Sequence, residues 1–450
     1  MVLDGEDADA QRAMLIVEAW AVECGWRRGR SRCRRSSSRI NRVFSYYSEG
    51  TPTLVYLSKL AGAERSEPQP RRSPSCRMWK AADPLLALAL LVACSPLCSA
   101  YCLAFIARPL RSGLLKRRSA ALLSLPLLAA HAVLPTLFDP TTAAVVAAQL
   151  AAAFYTWWGT MKVVALLFSD GPLAHFAGSS RLHFWCAYFL PVSLAPPADG
   201  LARPGHPGTI AATALFRLCL LLATLATLDA GLPHLSAGTL LGDAGWCLVL
   251  LLAVTGLMDV AGLLATLSGL SVLPAFYSPL LATSTSNFWG RRWNLTAVRL
   301  LRAGVYRPAR LLGAPRPLAV GLSFAVSGVA HELIVWYSSS SGGAYAAVRG
   351  QWLAFFLVQA PIVVAEPALS SLTSHVTSLL LPKALRGTRL GAVRALCARI
   401  GALGAVFLTA RLLFLPPAFT LGWPKLFSDA ILANPRRLLG ALASASNPAQ

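Results

Sequence analysis

Charged residues are scarce in this chain, and acidic residues are the scarcest. Asp, Glu, Lys and Arg make up 13% of the 450 residues, with 19 acidic side chains against 41 basic ones. Soluble domains normally carry about twice that charged fraction, so the shortage excludes an ordinary soluble globular protein. Hydrophobic residues make up 55% of the chain and the mean hydropathy is +0.56, which indicates a protein of the lipid bilayer.

Cysteine patterns typical of metal sites or disulfide frameworks are also absent. The ten cysteines are scattered, and the one regular group, Cys94, Cys98 and Cys102, lies within an apolar run. Neither zinc-ligand spacing nor a paired extracellular framework is present. We interpret these three cysteines as small packing residues, and we expect no metal and no other resident cofactor.

Long apolar runs dominate what remains. A helix needs roughly 20 apolar residues to cross a bilayer. Runs of suitable length lie at about 85–106, 119–138, 141–161, 209–229, 244–272, 318–338, 350–372 and 400–417. The sequence therefore predicts an all-α fold, a polytopic transmembrane bundle of about eight membrane helices.

The net charge of +22 is explained better by membrane topology than by nucleic acid. The arginines fall between apolar runs rather than on a solvated face, so no nucleic-acid partner is expected. Basic clusters follow the first, fifth and seventh runs, whereas the connections near Asp139, at 229–243 and at 338–345 have no Lys or Arg. This alternation predicts that the basic connections lie on the cytosolic side, against anionic lipid headgroups.

Residues 1–77 differ sharply from the rest of the chain. They hold nine of the 19 acidic residues, several arginine-rich runs and no apolar stretch long enough to cross a membrane. We interpret them as a disordered or variable N-terminal extension, since their acidic opening is unlike a transit peptide. Residues 78–450 are predicted to form one membrane domain, in which 169–208 and 273–317 are the longer cytosolic connections.

His331 lies inside the apolar run LAVGLSFAVSGVAHELIVWY at 318–337, with Glu332 beside it. An ionisable pair is costly in lipid, so its default interpretation is a functional site that faces the protein interior. Ser323, Ser327 and His331 share one helical face, and Gly328 would permit a close helix approach. A buried neutral imidazole suits a general base, although a structural histidine bonded across a helix interface remains the alternative. The other histidines are interpreted as structural: His131, His175, His183, His206, His234 and His375.

The segment NFWGRRWN at 287–294 holds the densest group of chemistry-capable residues. Trp289 and Trp293 are four residues apart, as on one helical face, and Arg291 and Arg292 lie between them. Taken alone, the segment is typical of an interfacial helix with snorkelling arginines. Five further tryptophans near predicted helix ends are interpreted as anchors in the headgroup region: Trp157, Trp158, Trp246, Trp336 and Trp352.

Together the two segments resemble the paired signature of the membrane-bound O-acyltransferase superfamily, specifically its plant wax synthase-like branch. The first signature is an F-W-x-x-W-like block that ends here at Asn294, and the second is SGVAHEL around His331. The resemblance reaches from about Met78 to the low 400s and is specific only around 275–340. Members of the branch commonly have aspartate before the FW pair, where this chain has Asn287.

This resemblance implies direct transfer of a fatty acyl group from acyl-CoA, a co-substrate, to a lipophilic alcohol. It implies His331 as general base and Asn294 as a hydrogen-bond donor to the oxyanion or a holder of the donor. The residues implied in acyl-CoA binding are Arg291, Arg292, Trp289 and Trp293.

A long-chain fatty alcohol, which would give a wax ester, is the first expected acceptor, and a sterol is the alternative. The expected location is the endoplasmic reticulum membrane, with several passes. A competing class is a transporter or channel in which His331 joins other intramembrane charges in a relay. Internal pairing is the favoured interpretation of those charges: Arg217, Asp259, Glu366 and Arg411.

Overall fold

A computed structural model of the chain describes residues 84–138, 143–196, 205–339, 342–380, 388–429 and 431–432. The predicted N-terminal extension at 1–77 and the connection at Asp139 lie outside these residues. Most of these residues are helical, and the strands among them are two short ones, which confirms the predicted all-α class. The strands are β1 (Ser193–Leu194) and β2 (Val272–Leu273).

The first half of the described chain contains eight α-helices, which follow the apolar runs and the connections between them. They are α1 (Pro84–Tyr101), α2 (Arg108–Arg111), α3 (Arg117–Val133), α4 (Ala143–Leu167), α5 (Gly171–Phe176), α6 (Arg181–Phe189), α7 (Pro207–Asp229) and α8 (Leu240–Leu267). The second half continues with α9 (Thr285–Arg291), α10 (Leu295–Leu301), α11 (Arg307–Leu311), α12 (Arg316–Ser338), α13 (Gly342–Val348), α14 (Gln351–Leu380), α15 (Thr388–Thr409) and α16 (Leu415–Thr420).

Eight helical segments of the described residues are long and apolar enough to cross a membrane, as predicted. They are Ala93–Arg111, Arg117–Leu137, Gln149–Leu167, Pro207–Asp229, Leu240–Leu267, Arg316–Ser338, Ala344–Leu369 and Ala395–Thr420. Two of them continue through a π-helical turn, at Cys102–Ala107 and at Ala410–Phe414. Such turns displace a helix locally and often occur at functional sites.

The two longer connections fold against each other. Strand β1 in the connection after α4 pairs antiparallel with β2 in the connection after α8. Arg307 of the second connection forms an ion pair with Asp170 of the first. These contacts place both connections on one side of the bundle, as a chain that crosses the membrane at every span requires.

The four intramembrane charges that the sequence singled out bond within the protein, which confirms the favoured interpretation. Arg217 pairs with Asp259, and Arg411 Nε lies 2.9 Å from an Asp243 carboxylate oxygen. Glu366 accepts hydrogen bonds from the start of α9. A buried charge with a partner avoids most of its desolvation cost, so these groups hold the bundle together.

The core between α3, α4 and α6 contains a satisfied histidine and a satisfied lysine. His131 is 1% exposed, with its Nε2 atom 2.6 Å from the Tyr188 hydroxyl and its Nδ1 atom 3.3 Å from Thr160 Oγ1. The fully buried Lys162 ammonium donates to the Tyr188 and Leu190 carbonyls at the end of α6, at 3.0 and 2.7 Å. A cation there satisfies terminal carbonyls that have no helical partner, which supports the structural interpretation of His131 and its surroundings.

Candidate active site

Helices α12 and α14 approach closely at Gly328, as the sequence predicted. A Cβ atom on Gly328 would lie 2.9 Å from Leu353 Cδ1 and 3.1 Å from Phe356 Cβ. Because glycine has no Cβ, the helix backbones can pack this closely. The contact brings Phe356 of α14 to the face of α12 that carries His331.

Four aromatic rings surround the His331 imidazole. The nearest is Phe356, with ring centroids 4.3 Å apart, and the others are Trp352 at 5.8 Å, Phe414 at 6.3 Å and Trp157 at 6.5 Å. We call these four rings the cage. They come from α14, from the π-helical turn after α15 and from α4. The imidazole therefore lies inside the bundle, as its interpretation as a functional residue requires.

One nitrogen of His331 is held by its own helix. The Nδ1 atom lies 2.7 Å from the carbonyl oxygen of Ser327, one turn earlier. A carbonyl can only accept, so Nδ1 carries the proton, and in the neutral ring the Nε2 atom retains its lone pair. The structure thus fixes the tautomer that a general base needs.

Glu332 does not act on His331 directly. Its carboxylate accepts hydrogen bonds from the backbone N–H groups of Gly350, at 2.6 Å, and Leu353, at 3.3 Å, at the start of α14. A carboxylate there accepts from N–H groups that have no helical partner, and its negative charge interacts favourably with the helix dipole. The adjacent residues His331 and Glu332 therefore divide their roles, since Glu332 fixes the helix that supplies two rings of the cage.

Glu366 of α14 holds the start of α9, the short helix that carries Trp289. Its carboxylate accepts from Thr285 Oγ1 and from the Ser286 backbone N–H, both at 2.8 Å. These groups belong to the first turn of α9, which carries Trp289. The sequence indicates only that Glu366 is paired internally, because its partners lie about 80 residues away in the chain.

Trp289 is held by a buried polar network. Its indole N–H donates to Gln359 Oε1 at 3.0 Å, and the Gln359 amide donates to Thr409 Oγ1 at 2.9 Å. Gln359 is fully buried. The Trp289 ring also contacts Phe356, with centroids 6.1 Å apart, and therefore supports the ring that lies nearest to His331.

Asn294 adopts a left-handed backbone conformation, with φ of 41°. Asparagine tolerates this conformation better than most residues. The side-chain Oδ1 atom accepts a hydrogen bond from the Ala297 N–H at 3.2 Å and so caps α10. The 287–294 segment and the residues after it therefore form two short helices with a sharp turn at Asn294, rather than one interfacial helix.

The two predicted catalytic residues are connected by aromatic rings rather than by a direct bond. Asn294 follows Trp293, whose ring lies 6.4 Å from that of Trp289, and Trp289 contacts Phe356 in the cage. In the part of the chain that the structure describes, no hydrogen bond joins Asn294 to His331. A path of three rings, Trp293, Trp289 and Phe356, therefore separates Asn294 from His331.

The two arginines predicted to bind acyl-CoA differ in their surroundings. Arg292 Nε donates to Asn287 Oδ1 at 2.6 Å, and its Nη1 atom donates to the carbonyls of Tyr277 and Ser278, each at 3.1 Å. Asn287 thus holds Arg292 without the carboxylate common in the branch. Arg291 is exposed and bonds to none of the described residues. Arg292 is largely committed to the fold, and Arg291 is free to meet an anion.

Arg299 is a further basic residue of this region, and the sequence marks it with its neighbours as a source of positive charge. Its Nη1 atom donates to the Pro274 carbonyl at 3.1 Å. Burial lowers the pKa of its guanidinium below the ordinary arginine value, but arginine stays protonated in proteins. Arg299 therefore adds a positive charge to α10, the helix that follows the turn at Asn294.

The interpretation of the five tryptophans as headgroup anchors is wrong for three of them. Trp158 and Trp352 are 5% and 4% exposed, and Trp157 contacts His331. Trp336, at 46% exposed, remains compatible with an anchor. Proximity to a helix end does not distinguish a ring in the headgroup layer from one that packs against a neighbouring span, and here tertiary packing decides.

Comparison with known proteins covers both signatures. Residues 272–358, which include Asn294 and His331, match the sequence profile of the Membrane bound O-acyl transferase family. An Arabidopsis thaliana protein named probable long-chain-alcohol O-fatty-acyltransferase 2 is 30% identical over 247 residues, which is 53% of this chain and 68% of that protein. The chain belongs to the membrane-bound O-acyltransferase family. The predicted resemblance, including its wax synthase-like branch, is thereby confirmed.

Other family members from Arabidopsis thaliana align over shorter shares. Probable long-chain-alcohol O-fatty-acyltransferase 1 is 33% identical over 41% of this chain and 56% of its own length. Acyl-CoA–sterol O-acyltransferase 1 is 29% identical over 49% of this chain and 64% of its own length. The alignments thus span roughly half to two thirds of these relatives, and the relatives' names include both acceptor classes.

Proposed function

We propose that this chain is an acyltransferase that forms wax esters from a long-chain fatty alcohol and fatty acyl-CoA. The observation that carries the proposal is the His331 imidazole, held by Ser327 with its Nε2 lone pair free inside an aromatic cage. The relatives named long-chain-alcohol O-fatty-acyltransferases support it. The eight candidate spans also agree with an enzyme that acts on lipophilic substrates in the membrane.

The reaction is a direct transfer. His331 Nε2 accepts the hydroxyl proton as the alcohol oxygen attacks the thioester carbonyl, which forms a C–O bond and a tetrahedral oxyanion. The C–S bond then breaks, and the imidazolium returns its proton to the leaving thiolate of CoA. The products are an ester and CoA, and neither an acyl-enzyme nor a metal ion takes part.

The aromatic cage serves this chemistry by excluding water. Rings on several sides of His331 leave few polar groups to hold a water molecule near the imidazole. Exclusion of water disfavours hydrolysis of the thioester and strengthens electrostatic interactions in the site. A hydrophobic alcohol enters such a cage with little cost of desolvation, apart from its single hydroxyl group.

The donor reaches His331 from the side of the Asn294 turn. Helix α12 begins at Arg316, and His331 lies about four turns further along it, about 22 Å from that end of the helix. Arg291 at the outer end meets the phosphates of CoA, and the pantetheine arm follows Trp293 and Trp289 inward. The Asn294 amide N–H groups hydrogen-bond to this arm, while its Oδ1 atom caps α10.

The acceptor and the location complete the proposal. The protein acts in the endoplasmic reticulum membrane, where acyl-CoA and lipophilic alcohols meet, and a sterol is the second candidate acceptor because a relative is named for one. Microsomes that contain the protein, given labelled acyl-CoA and either hexadecanol or a sterol, test both. We expect labelled wax ester from hexadecanol. Steryl ester alone would change the acceptor, and no ester from either alcohol would refute the enzyme in favour of a transporter.

The role of Asn294 is tested by a substitution that keeps the cap and removes the amide donor. Asn294→Asp retains an oxygen for the Ala297 N–H and tolerates the left-handed backbone. We expect it to raise the KM for acyl-CoA by about tenfold or more, the effect of one lost hydrogen bond plus repulsion from phosphate. The measurement is initial rates of ester formation against acyl-CoA concentration.

Asn294→Gly is the matched control, because it keeps the backbone conformation and loses both the cap and the amide donor, whereas Asn294→Asp loses only the donor. If Asn294→Asp has the wild-type KM while Asn294→Gly is impaired, Asn294 only caps α10 and its assignment to the donor site is wrong.

A further inference from the structure

Trp157, one of the four rings of the cage, has an unpaired hydrogen-bond donor. Its Nε1 atom is buried from solvent and bonds to no described residue, although its ring centroid lies 6.5 Å from that of His331. The ring is also packed edge-on against Trp158, with centroids 4.8 Å apart, and Trp158 is 5% exposed. The orientation of the Trp157 indole is therefore fixed by the core rather than by a bond of its own.

The two other tryptophans near the imidazole are paired. Trp289 donates to Gln359 at 3.0 Å, and Trp352 donates to the Phe414 carbonyl at 2.7 Å. A buried N–H without an acceptor is destabilising, so such groups are rare in native proteins. When one lies beside a catalytic base, the simplest acceptor is an atom of the substrate.

The reaction supplies such an acceptor at this place. His331 Nε2 receives the proton of the attacking hydroxyl group, so the thioester carbonyl must lie next to the imidazole. Its oxygen gains negative charge in the tetrahedral state and needs a donor in a site that excludes water. The Asn294 Oδ1 atom caps α10, and in the proposed site its amide N–H groups bind the arm of the donor, so another group is needed at the carbonyl.

We propose that the Trp157 indole N–H donates a hydrogen bond to the carbonyl oxygen of the acyl donor and stabilises the oxyanion. Trp157 is then a catalytic residue, His331 is the base, and Asn294 acts on the arm of the donor. This inference rests on the proposed acyltransferase function. It assigns to α4, a helix outside the two family signatures, a direct part in the chemistry.

The test compares two neighbouring tryptophans of α4. Trp157→Phe removes the N–H and keeps an aromatic ring, and Trp158→Phe makes the same chemical change one residue further on. We expect Trp157→Phe to lower kcat by about 10²–10³-fold, the usual effect of one oxyanion donor, with little change in the KM for acyl-CoA. Trp158→Phe leaves the Trp157 N–H in place and keeps an aromatic ring against it, so it is expected to keep most of the wild-type kcat.

Two inert donor analogues separate hydrogen bonding from packing. A ketone analogue of acyl-CoA keeps the carbonyl but cannot transfer its acyl group, whereas an S-alkyl-CoA thioether has no carbonyl. We expect Trp157→Phe to weaken inhibition by the ketone about fivefold, the effect of one net hydrogen bond, and to leave inhibition by the thioether unchanged. Equal weakening of both would assign Trp157 to packing and overturn the inference.

A ring-sized replacement covers the case in which Trp157→Phe does not accumulate in membranes. Benzothienylalanine at position 157 has the shape of tryptophan with sulfur in place of the N–H group, and we expect it to reproduce the loss of kcat. If the wild-type protein forms ester and neither variant differs from Trp158→Phe, the inference on Trp157 fails while the proposed function stands. If the wild-type protein forms no ester from any alcohol, the proposed function fails first.

Discussion

Replacing His331 with alanine is expected to reduce ester formation by roughly two to four orders of magnitude, the range for loss of a general base. The expected loss depends on one atom, His331 Nε2. Ser327 occupies Nδ1 at 2.7 Å, so Nε2 is the nitrogen that accepts the hydroxyl proton. The measurement is the rate of ester formation in membranes that contain equal amounts of wild-type and variant protein.

Two further variants separate chemistry from packing at this position. His331→Gln fills most of the space inside the cage but has no basic nitrogen, so we expect it to be as inactive as His331→Ala. His175→Gln makes the same change at an exposed histidine and is expected to retain full activity. Ester formation by His331→Ala at the wild-type rate would remove His331 from the mechanism.

Replacing Gly328 with alanine is expected to destabilise the protein by about 1–3 kcal/mol, the usual effect of overpacking. A methyl group there would lie 2.9 Å from Leu353 Cδ1 and 3.2 Å from Leu353 Cα. Because a backbone atom is involved, the two helices must move apart. Phe356 then moves relative to His331, and we expect ester formation to fall together with the thermal unfolding temperature in detergent.

Gly321 offers a matched control on the same helix, two turns earlier. A Cβ atom there would meet nothing within 4 Å. Gly321→Ala is therefore expected to keep the stability and activity of the wild-type protein. If Gly328→Ala matches Gly321→Ala in both measurements, close packing of α12 on α14 does not position the cage.

Local sequence patterns were enough to predict the spans and the face of the critical helix. Apolar runs of bilayer length predicted eight spans, because the requirement for internal backbone hydrogen bonds leaves few other folds in lipid. His331 stood out because an ionisable group is costly there, and Gly328 lay one turn away on a face suited to close packing. Each of these inferences depends on residues within a few turns of one helix.

The hydrogen bonds that hold the site in place could not be predicted in the same way, because they join distant parts of the chain. Gln359 holds Trp289 from 70 residues further on, and Glu366 caps α9 from about 80 residues further on. A lone glutamine or glutamate in an apolar run has no local pattern that names its partner. Trp157 was misassigned for the same reason, since only the packed bundle places it beside His331.

Asn294 lies between these two cases. Its position after the F-W-x-x-W-like block marked it as a candidate, and the structure adds that it caps α10 with a left-handed backbone. A chain turn of this kind depends on the tertiary contacts on both sides. Its cap and its predicted catalytic role are therefore separated only by experiment, through the pair Asn294→Asp and Asn294→Gly.

The most direct test of the proposed mechanism is a cryo-electron-microscopy structure of the protein with the ketone analogue of acyl-CoA bound. We predict the ketone oxygen within hydrogen-bonding distance of Trp157 Nε1 and the carbonyl carbon beside His331 Nε2, with the phosphates near Arg291. Density for the acyl chain and carbonyl outside the cage, with the His331 ring closed off by Phe356 and Trp352, would contradict acyl transfer at His331.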